Sequence, residues 1–473
     1  MGSYKESWLP HLQNAVPRSA YGFATCMYIM SLEGWRRGLE LTFKIKRKKG
    51  LFSGLSYTLS NGTKKHAFNG SRGDYTPLKA IQICSNKGMT NKYLKKEGVS
   101  IPEGKSFTNA EKDEDLIAYS NQLGYPLVLK PIAGEGGAGV ITNICSEDEM
   151  KKHLNHLRHV KGNTSVIIEK YFIGEDYRIN ILNGEIIGAF HRRTLNVIGD
   201  GNHSIRELLK LKNKDRKLSP FLAKKNIKID LSMKELLKRQ GLTPEDVPYL
   251  GEKVYLRNSG EFFGQRDSVD VTHELSDNIK RIAISAVNAI PDLIYAGVDM
   301  LVNLEEDTGV VNEVNSKPQI SNHVFPVEGS AVDIPKKIID FYFPETSYLG
   351  DENNNDFVYN FDNIIESFKS SAATEIVIPP IPKGKIVHRR YILHGPLKTS
   401  KICEQIQRKA RILDLHGGIK KTDDVYQVKV AGVADKVSDF EVFLRSKKKD
   451  NIISKLEKRK AITPVNVGFT VET

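Results

Sequence analysis

Residues 126–139 read PLVLKPIAGEGGAG, an apolar run that ends at Lys130 and is followed by a glycine-rich loop. The loop, Gly134-Glu135-Gly136-Gly137-Ala138-Gly139, has four glycines in six positions. Glycine lets backbone N–H groups approach phosphate oxygens closely, and a nearby lysine adds positive charge. Glycine-rich hairpins also occur without a ligand, so the loop indicates a phosphate site only together with the segments that follow it.

A second segment combines the end of a predicted strand, whose backbone offers hydrogen-bond acceptors, with a carboxylate a few residues later. Glu169, Lys170 and Tyr171 directly follow the apolar run 165–168, and backbone carbonyls there can accept hydrogen bonds from an adenine amino group. Asp176 lies where a carboxylate can hold ribose hydroxyls. Single surface carboxylates are usually structural, but their order after the glycine loop favours a nucleotide site.

A third group of residues offers oxygen ligands for metal ions. Glu313 and Asn315 are two residues apart in a strand-like run, so their side chains project from the same face. Asp299 lies on an earlier apolar run joined to this one by a turn at residues 305–309. An antiparallel pair would bring the three side chains together, and carboxylate and amide oxygens suit magnesium.

Composition limits the class of protein. The 473 residues are 40% apolar and 27% charged, typical of a soluble globular chain of about three domains. The longest early apolar cluster, residues 20–30, is too short to span a membrane and lacks the features of a secretory signal. The four cysteines are scattered without a metal-binding or disulfide pattern. These features predict a cytoplasmic protein with no membrane partner.

The net charge of +13 admits a nucleic-acid surface or an enzyme with polyanionic ligands. Much of the excess lies in lysine runs such as residues 46–49 and 447–449, which are usually solvated faces. No zinc-finger or aromatic RNA-binding motif accompanies the lysines, so nucleic-acid binding stays a minor hypothesis.

Apolar runs alternate with helical stretches along the chain and predict an α+β (mixed α/β) fold with large sheets. The first part predicts a helix at residues 31–39, strands at 41–45 and 56–59, and a hairpin turn at Asn61-Gly62. The lysine-rich stretch 204–241 predicts a helical insertion between strands. After an Asp/Asn-rich break at 351–356 and a proline-rich stretch, the last ninety residues predict a ferredoxin-like βαββαβ order that ends in a strand at 465–471.

Taken in order, several motifs resemble those of an ATP-grasp ligase. They are Asn86-Lys87, Gly98-Val99, the segment 126–131, the glycine loop, Ile168-Glu169-Lys170-Tyr171, Gly174-Glu175-Asp176-Tyr177-Arg178 and Asn312-Glu313-Val314-Asn315. Within that superfamily the chain is most similar to the ATP-grasp domains of cyanophycin synthetase and of bifunctional glutathione synthetases. That similarity extends to Val197-Ile198-Gly199-Asp200-Gly201, to the inserted helices and to residues 251–257.

The resemblance implies roles for individual residues. Lys87 and Lys130 would hold the phosphates of ATP under the glycine loop, while Glu169, Lys170 and Tyr171 frame the adenine and Asp176 the ribose. Arg192 or Arg193 would lie near the transferred phosphoryl group, with the choice between them left open. Asp299, Glu313 and Asn315 would hold two magnesium ions, with manganese as an alternative metal. The chain departs from the family at Asn86, where relatives usually have Asp.

The resemblance also implies the reaction. Such ligases convert a carboxylate to an acyl phosphate with ATP, and an amine then displaces phosphate to give an amide. Phosphoryl transfer needs positioning and charge neutralisation more than a protein nucleophile, which agrees with lysines, arginines and metal ligands. His191, His203 and His323 are each conceivable bases, although substrate contacts or supporting roles are favoured.

The last unit resembles an acylphosphatase in its fold order, in Tyr391-Ile392-Leu393-His394-Gly395 and in the stretch 415–418. Cys403 stands at the family's essential arginine and Lys421 at its asparagine, so a docking, binding or dimer-forming role is expected in place of hydrolysis. The predicted organisation is a pre-ATP-grasp α/β domain (1–85), an ATP-grasp ligase domain (86–345), a linker (346–382) and an acylphosphatase-like domain (383–473). Amino acids or peptides are the expected substrates, and a non-catalytic ATP-binding protein is the alternative.

Overall fold

The computed structural model describes residues 8–48, 51–132, 139–257, 266–351, 357–381, 386–395, 400–422, 425–449, 452–460 and 464–472. The chain divides into two compact units. The first comprises residues 1–9, 21–23 and 71–334, and the second comprises residues 10–20, 24–70 and 335–473.

The helices, in chain order, are α1 (Ala24–Arg36), α2 (Leu78–Cys84), α3 (Lys87–Lys96), α4 (Asp113–Leu123), α5 (Glu147–Asn155), α6 (Ile205–Arg216), α7 (Leu231–Arg239), α8 (Asp277–Asn288), α9 (Ser321–Val324), α10 (Ile334–Tyr342), α11 (Phe361–Lys369), α12 (Ser400–Ile412) and α13 (Ala434–Lys449). Short turns of 3₁₀ helix lie at Pro10–Leu12, Arg18–Ala20 and Pro344–Asp351, and a π-helical turn at His156–Val160.

The strands, in chain order, are β1 (Glu40–Lys48), β2 (Leu51–Ser60), β3 (Lys65–Asn69), β4 (Arg72–Gly73), β5 (Gly104–Phe107), β6 (Leu127–Pro131), β7 (Ile141–Ile144), β8 (Val166–Lys170), β9 (Glu175–Leu182), β10 (Glu185–Arg193), β11 (Asn196–Ile198), β12 (Lys253–Tyr255), β13 (Asp267–Asp270), β14 (Tyr295–Asn303), β15 (Thr308–Asn315), β16 (Phe357–Val358), β17 (Glu375–Val377), β18 (Ile386–His394), β19 (His416–Thr422), β20 (Val425–Val433), β21 (Lys455–Lys460), β22 (Val465–Asn466) and β23 (Phe469–Glu472). The predicted mixture of sheets and helices is confirmed.

The first unit contains a five-stranded antiparallel sheet in the order β13-β10-β9-β14-β15. One face packs on α2, α3 and α8 through buried apolar side chains that alternate along the strands, among them Ile179, Ile181, Val298 and Met300. Residues that lie between these in sequence, such as Arg178 and Asp299, project from the opposite face. That face carries the polar residues that the sequence analysis selected.

A four-stranded sheet in the order β5-β8-β6-β7 forms a second layer of the same unit. Leu127, Leu129 and Ile168 pack with α4 and α5 on one face, in a core that also holds Met150 and Leu154. In the antiparallel register of β6 and β8, Val128 is opposite Glu169 and Lys130 is opposite Ile167. These four residues therefore share the other face of the sheet.

The predicted helical insertion is confirmed. Helices α6 and α7 lie between β11 and β12 in sequence, and these two strands pair with each other. The segment has its own small core, which includes Leu208, Met233 and Leu237. Ser204 begins α6 with a capping box, because its hydroxyl accepts from the Glu207 N–H and the Glu207 carboxylate accepts from Ser204 N–H.

In the second unit, strands β17, β1, β2 and β3 form one antiparallel sheet. The Asn61-Gly62 hairpin joins β2 to β3 as predicted, and Gly62 has a φ of +92°. The helix predicted at 31–39 is instead Ala24–Arg36; it is buried on every side from Thr25, so no polar face marks its start in the sequence. Part of the predicted linker is also folded, since α11 lies within it and β17 pairs with β1.

The last part of the second unit has the predicted βαββαβ order. Its sheet runs β21-β18-β20-β19, with β23 added in parallel beside β19. The strand predicted at 465–471 is present as two short strands, β22 and β23, but its predicted place in the motif is wrong, because β21 completes the motif. Strand β21, with the sequence KLEKRK, is an exposed edge strand whose charged residues hide any alternation. The acylphosphatase likeness itself and the domain boundaries stay predictions.

No helix in the described parts of the chain is long and apolar enough to cross a membrane. Cys26, Cys84, Cys145 and Cys403 are all free thiols.

Candidate active site

A cavity of about 160 Å³ in the first unit is lined by residues of both its larger sheets and of α3. Most of the predicted site residues that the structure describes meet there. They are Lys87, Lys130, Glu169, Lys170, Tyr171, Asp176, Arg192 and Glu313. Of the glycine loop, residues 134–138 lie outside the described residues, and Gly139 is described with a φ of +77°.

Lys130 lies deep in the cavity wall, with its side chain only 7% exposed. Its Nζ is 2.6 Å from a carboxylate oxygen of Glu169 and donates to Asn312 Oδ1 at 3.2 Å. The pair forms because the two side chains share one face of the β6–β8 register. The carboxylate fixes the ammonium in place, so the lysine is positioned before any ligand arrives.

Lys170 contributes to the cavity differently from its neighbour Glu169. Alternation along β8 turns its side chain to the helical side, where Nζ donates to the carbonyl oxygens of Gly124 (2.8 Å), Tyr125 (3.3 Å) and Leu123 (3.4 Å). The backbone here is also fixed, because Tyr171 N–H donates to Pro126 O at 3.0 Å. Lys170 thus binds the end of α4.

Lys87 is the first residue of α3, and Asn86 caps that helix. The Asn86 side-chain oxygen accepts from Met89 N–H at 3.0 Å. Aspartate and asparagine cap helices about equally well, so the departure from the family at this position keeps the local geometry. Burial raises the pKa of Glu313, and the helix start places the Lys87 ammonium close enough to that carboxyl to oppose part of the rise.

Asp176 lies between two guanidinium groups. One carboxylate oxygen accepts from Arg192 Nη1 at 2.9 Å, and the other forms an ion pair with Arg266 Nη1. A carboxylate has about four acceptor sites, so two arginines leave capacity for further hydroxyl groups.

The structure separates Arg192 from Arg193, which the sequence could not. Arg192 lies on the cavity side of β10 with 6% of its side chain exposed, whereas Arg193 projects to the other side and pairs with Glu328 at 2.5 Å. Burial disfavours the Arg192 charge, but Asp299 and Asp176 outweigh that effect, so the pKa of this guanidinium is raised. Arg193 does not line the cavity.

Asp299 does not itself line the cavity and is held by two arginines, of which Arg192 does line it. Its oxygens accept from Arg178 Nε at 2.5 Å and Arg178 Nη2 at 2.6 Å, and one also accepts from Arg192 Nη2 at 2.9 Å. Burial alone would raise the pKa of Asp299, but Arg178 and Arg192 hold it below its usual value. The bidentate fork of Arg178 fixes the carboxylate plane.

Glu313 and Asn315 lie beside Asp299 on the same face of the sheet. Asp299 is directly opposite Glu313 in the β14–β15 register, and the Asn315 amide nitrogen is 3.4 Å from an Asp299 oxygen. Burial and then the Asp299 charge raise the pKa of Glu313. The predicted antiparallel pair is therefore present, and it brings the three oxygen-bearing side chains together.

Three cavity or neighbouring residues were not assigned roles from the sequence. Asn312 reaches Lys130 because a β-bulge separates Asp299↔Glu313 from Met300↔Val311 and leaves Asn312 as the extra residue. Arg266 forms an ion pair with Asp176, and Arg178 forms one with Asp299. The sequence contained a signal for Arg178, which is two residues from Asp176 and therefore on the same face of the strand. It contained no signal for Asn312, which depends on a bulge, or for Arg266, which depends on an ion pair with a residue distant in sequence.

The three histidines do not line the cavity. His191 Nε2 is 2.9 Å from a Glu175 oxygen and the ring stacks on Tyr177, while exposed His203 bonds Asp200 at 2.7 Å. His323 is buried edge-on against Phe190, with ring centroids 4.7 Å apart.

Comparison with known proteins identifies the type of domain that the chain carries. Residues 100–254 match the family model described as prokaryotic glutathione synthetase, ATP-grasp domain. The chain carries an ATP-grasp domain of the glutathione synthetase type. Domains of this type use ATP together with a divalent metal ion.

Curated relatives extend the match beyond that segment. The chain is 30% identical over 333 residues to the glutathione biosynthesis bifunctional protein of Clostridium perfringens, covering 67% of this chain and 40% of the relative. It is 29% identical over 293 residues to cyanophycin synthetase of Trichormus variabilis, covering 60% of this chain and 32% of the relative. The chain thus spans less than half the length of these relatives.

Among solved structures, a bifunctional glutathione synthetase from Pasteurella multocida is 26% identical with a TM-score of 0.49. That similarity covers 61% of this chain and 41% of the other.

Proposed function

We propose that this chain is an ATP-dependent carboxylate-amine ligase that forms an amide bond through an acyl phosphate. The observation that supports this most is one cavity lined by three cations, Lys87, Lys130 and Arg192, together with the carboxylate of Glu313. Fixed cations beside an oxygen-ligand cluster are what phosphoryl transfer requires, because its barrier is lowered by positioning and charge neutralisation.

Each cationic residue of the cavity would contact a different part of the ATP triphosphate. Lys130 is fixed by Glu169 and Asn312, so its ammonium would bind a phosphate oxygen without reorganisation. Lys87 lies near Glu313, where the outer phosphates would meet the metal ligands. Arg192, held by Asp176 and Asp299, would stabilise charge on the transferred phosphoryl group. The backbone at residues 169–171 would frame the adenine, and Asp176 would hold the ribose.

The carboxylate and amide oxygens fit a divalent cation, for which we propose Mg²⁺. Glu313 and Asp299 face each other across neighbouring strands, and the Asp299 charge is one cause of the raised pKa of Glu313. Hard oxygen ligands of this kind suit Mg²⁺ or Mn²⁺. Bound between Glu313, Asn315 and the phosphates, the cation would neutralise phosphate charge. Asp299 is already neutralised by Arg178 and Arg192, so Glu313 and Asn315 are the more direct ligands.

The proposed reaction has two steps, formation of an acyl phosphate and then of the amide. A substrate carboxylate oxygen attacks the γ-phosphorus of ATP, and the bond to the β–γ bridging oxygen breaks to release ADP. An amine nitrogen then attacks the acyl carbon, phosphate leaves with the bonding electron pair, and the amine proton passes to solvent. Buried Arg192 and Lys130 stabilise the charged groups throughout, and no protein nucleophile is needed. We propose amino acids or peptides as the acid and the amine.

An assay of ADP release tests this proposal. The chain is incubated with ATP and Mg²⁺ and with amino acids and short peptides offered singly and in pairs. We expect ADP release that requires both an acid and an amine, together with an amide product of the summed mass. ATP binding without ADP release under all pairs would instead support a non-catalytic ATP-binding protein.

Two variants make the assay specific to the cavity. Glu313→Gln should abolish ADP release while leaving the thermal unfolding temperature nearly unchanged, because the side chain keeps its size but loses the charge that binds metal. Glu306→Gln, at the exposed turn between β14 and β15, is the matched control and should retain full activity. Near-normal ADP release by Glu313→Gln at saturating Mg²⁺ would contradict the metal assignment.

A further inference from the structure

A second and larger cavity, of about 750 Å³, lies in the second unit. Its walls come from segments far apart in sequence: residues 14–17 with Tyr28 of α1, residues 358–363, the end of α12, and residues 464–471. Its volume falls in the range of small-molecule sites, about 300–1,000 Å³.

Hydrogen bonds hold these walls in place. Strand β16 pairs in parallel with β22, and Val467 N–H donates to Val358 O at 2.8 Å. The Gln407 amide on α12 donates to Phe469 O at 3.2 Å, and Tyr28 Oη donates to Ala15 O at 2.9 Å. Every wall is thus tied to a neighbouring segment, so the cavity is a defined feature of the unit.

Charged side chains of both signs line the cavity. Arg411 at the end of α12 and Lys429 on β20 are cationic, and Asp362 in the first turn of α11 is anionic. Arg411 and Asp362 are both exposed, and neither forms a side-chain hydrogen bond or ion pair with any residue in the described parts of the chain. Amide side chains of Asn363 and Asn466 supply further polar groups.

The charges of both signs that line this cavity indicate the class of ligand that it can bind. An unpaired guanidinium binds a carboxylate through two parallel hydrogen bonds, and a carboxylate binds an ammonium group. The unpaired Arg411 and Asp362 complement a molecule with one carboxylate and one ammonium group, and the further cation Lys429 favours a second acidic group on that molecule. A simple dicarboxylate would leave Asp362 facing an anion, and a diamine would leave Arg411 facing a cation.

We propose that this cavity is a binding site for an acidic α-amino acid, separate from the ATP cavity. The amino acid carboxylates would lie toward Arg411 and Lys429, and its ammonium toward Asp362. The two cavities share no lining residue. The proposal therefore does not depend on ligase activity in the first unit.

Calorimetric titration of the full chain with L-glutamate, without ATP or metal, tests the site. We expect one molecule bound per chain, and glutarate, which lacks the ammonium group, bound at least tenfold more weakly. Arg411→Ala should weaken glutamate binding at least tenfold. Asp362→Asn should weaken glutamate but not glutarate, so that the preference between the two ligands disappears.

Matched controls lie on the same helices. Arg408→Ala is one turn earlier on α12, and Glu366→Gln is one turn later on α11; both side chains are exposed and outside the cavity, so both variants should bind glutamate normally. Absence of glutamate binding at millimolar concentration would overturn the proposal. Binding that survives Arg411→Ala and Asp362→Asn but is lost in Arg192→Ala would also overturn it, because it would place glutamate in the ATP cavity.

Discussion

At the scale of single residues, the site is organised by pairs of buried opposite charges. Lys130 with Glu169, and Asp299 with Arg178 and Arg192, are almost completely removed from solvent. Taking such charges out of water is costly, so buried pairs are weak evidence for stability. Their value here is geometric, because each fixes a cation or carboxylate at the cavity wall.

The two adjacent arginines should differ sharply when they are changed. Arg192→Lys keeps a charge beside Asp176 and Asp299 but loses the planar fork, so we expect kcat to fall at least tenfold. Arg193→Lys alters only a part-exposed pair with Glu328 and should change kcat less than threefold. Steady-state ADP release measures both; equal losses in the two variants would contradict the assignment of Arg192 to the phosphoryl group.

Lys130 and Asp176 should affect ATP binding unequally. Lys130→Met deletes a charge-assisted bond to phosphate, worth about 1.5–3 kcal/mol, so we expect roughly 10- to 100-fold weaker binding. Asp176→Asn keeps a ribose acceptor and should cost less than tenfold. Calorimetry with a non-hydrolysable ATP analogue measures both affinities, and thermal unfolding shows whether each variant is folded. Wild-type affinity in both variants would rule out this placement of the nucleotide.

At the scale of elements, strand alternation determines which face each side chain occupies, and one irregularity changes it. Along β8 the period of two sends Glu169 to the cavity and Lys170 to the end of α4. Along β15 a regular strand would turn Asn312 away from Glu313. The β-bulge lets both reach the cavity.

Lys170 should therefore act on stability more than on nucleotide affinity. Its Nζ bonds three carbonyl oxygens at the end of α4, where a cation also complements the helix dipole. We expect Lys170→Met to lower the free energy of unfolding by about 1–2 kcal/mol. ATP affinity should change less than threefold, in contrast to Lys130→Met. Denaturant unfolding and calorimetry of the two variants test this; a larger loss of affinity in Lys170→Met would show that its ammonium binds phosphate.

The sequence predicted those parts of the fold and site that depend on local pattern. Continuous apolar runs located β6, β8, β9, β14 and β15, and the i, i+2 spacing of Glu313 and Asn315 placed them on one face. Pattern failed where burial was complete, as in α1, and where an edge strand was charged, as in β21. The pattern also could not choose between Arg192 and Arg193. These neighbours project from opposite faces of a strand, and the sequence alone does not show which face lines the cavity.

At the scale of the whole molecule, the positive charge is unevenly distributed. Residues 383–473 contain 21 lysines and arginines against 10 aspartates and glutamates, which accounts for +11 of the net charge of +13. Several of these cations share two carboxylates: Glu441 pairs with Arg445 and Lys458, and Glu457 with Lys455 and Arg459. Such surface pairing is typical of a solvated face, and the solvated role of the lysine runs themselves stays a prediction.

For the same segment, the sequence predicts an acylphosphatase-like fold without acylphosphatase activity. The resemblance implies that acylphosphatases need an arginine for hydrolysis at the position where this chain has Cys403. Cys403 lies on α12 with only 9% exposure, inside a core with Ile406 and Phe440, and burial raises the pKa of its thiol. A buried neutral thiol supplies no guanidinium fork for an anion.

We therefore expect the full chain to hydrolyse benzoyl phosphate no faster than the spontaneous rate. The assay is best made in a Glu313→Gln background, so that the ATP cavity cannot contribute phosphoryl chemistry. Lys421 is exposed on β19, where the predicted resemblance would place the asparagine of acylphosphatases, and its neighbour Lys420 is the matched control. Hydrolysis well above the spontaneous rate that is lost in Lys421→Ala and retained in Lys420→Ala would contradict the prediction. Such a result would mean that the Lys421 ammonium group activates water in place of an asparagine, whereas the spontaneous rate in all three proteins agrees with the prediction that the segment does not catalyse this reaction.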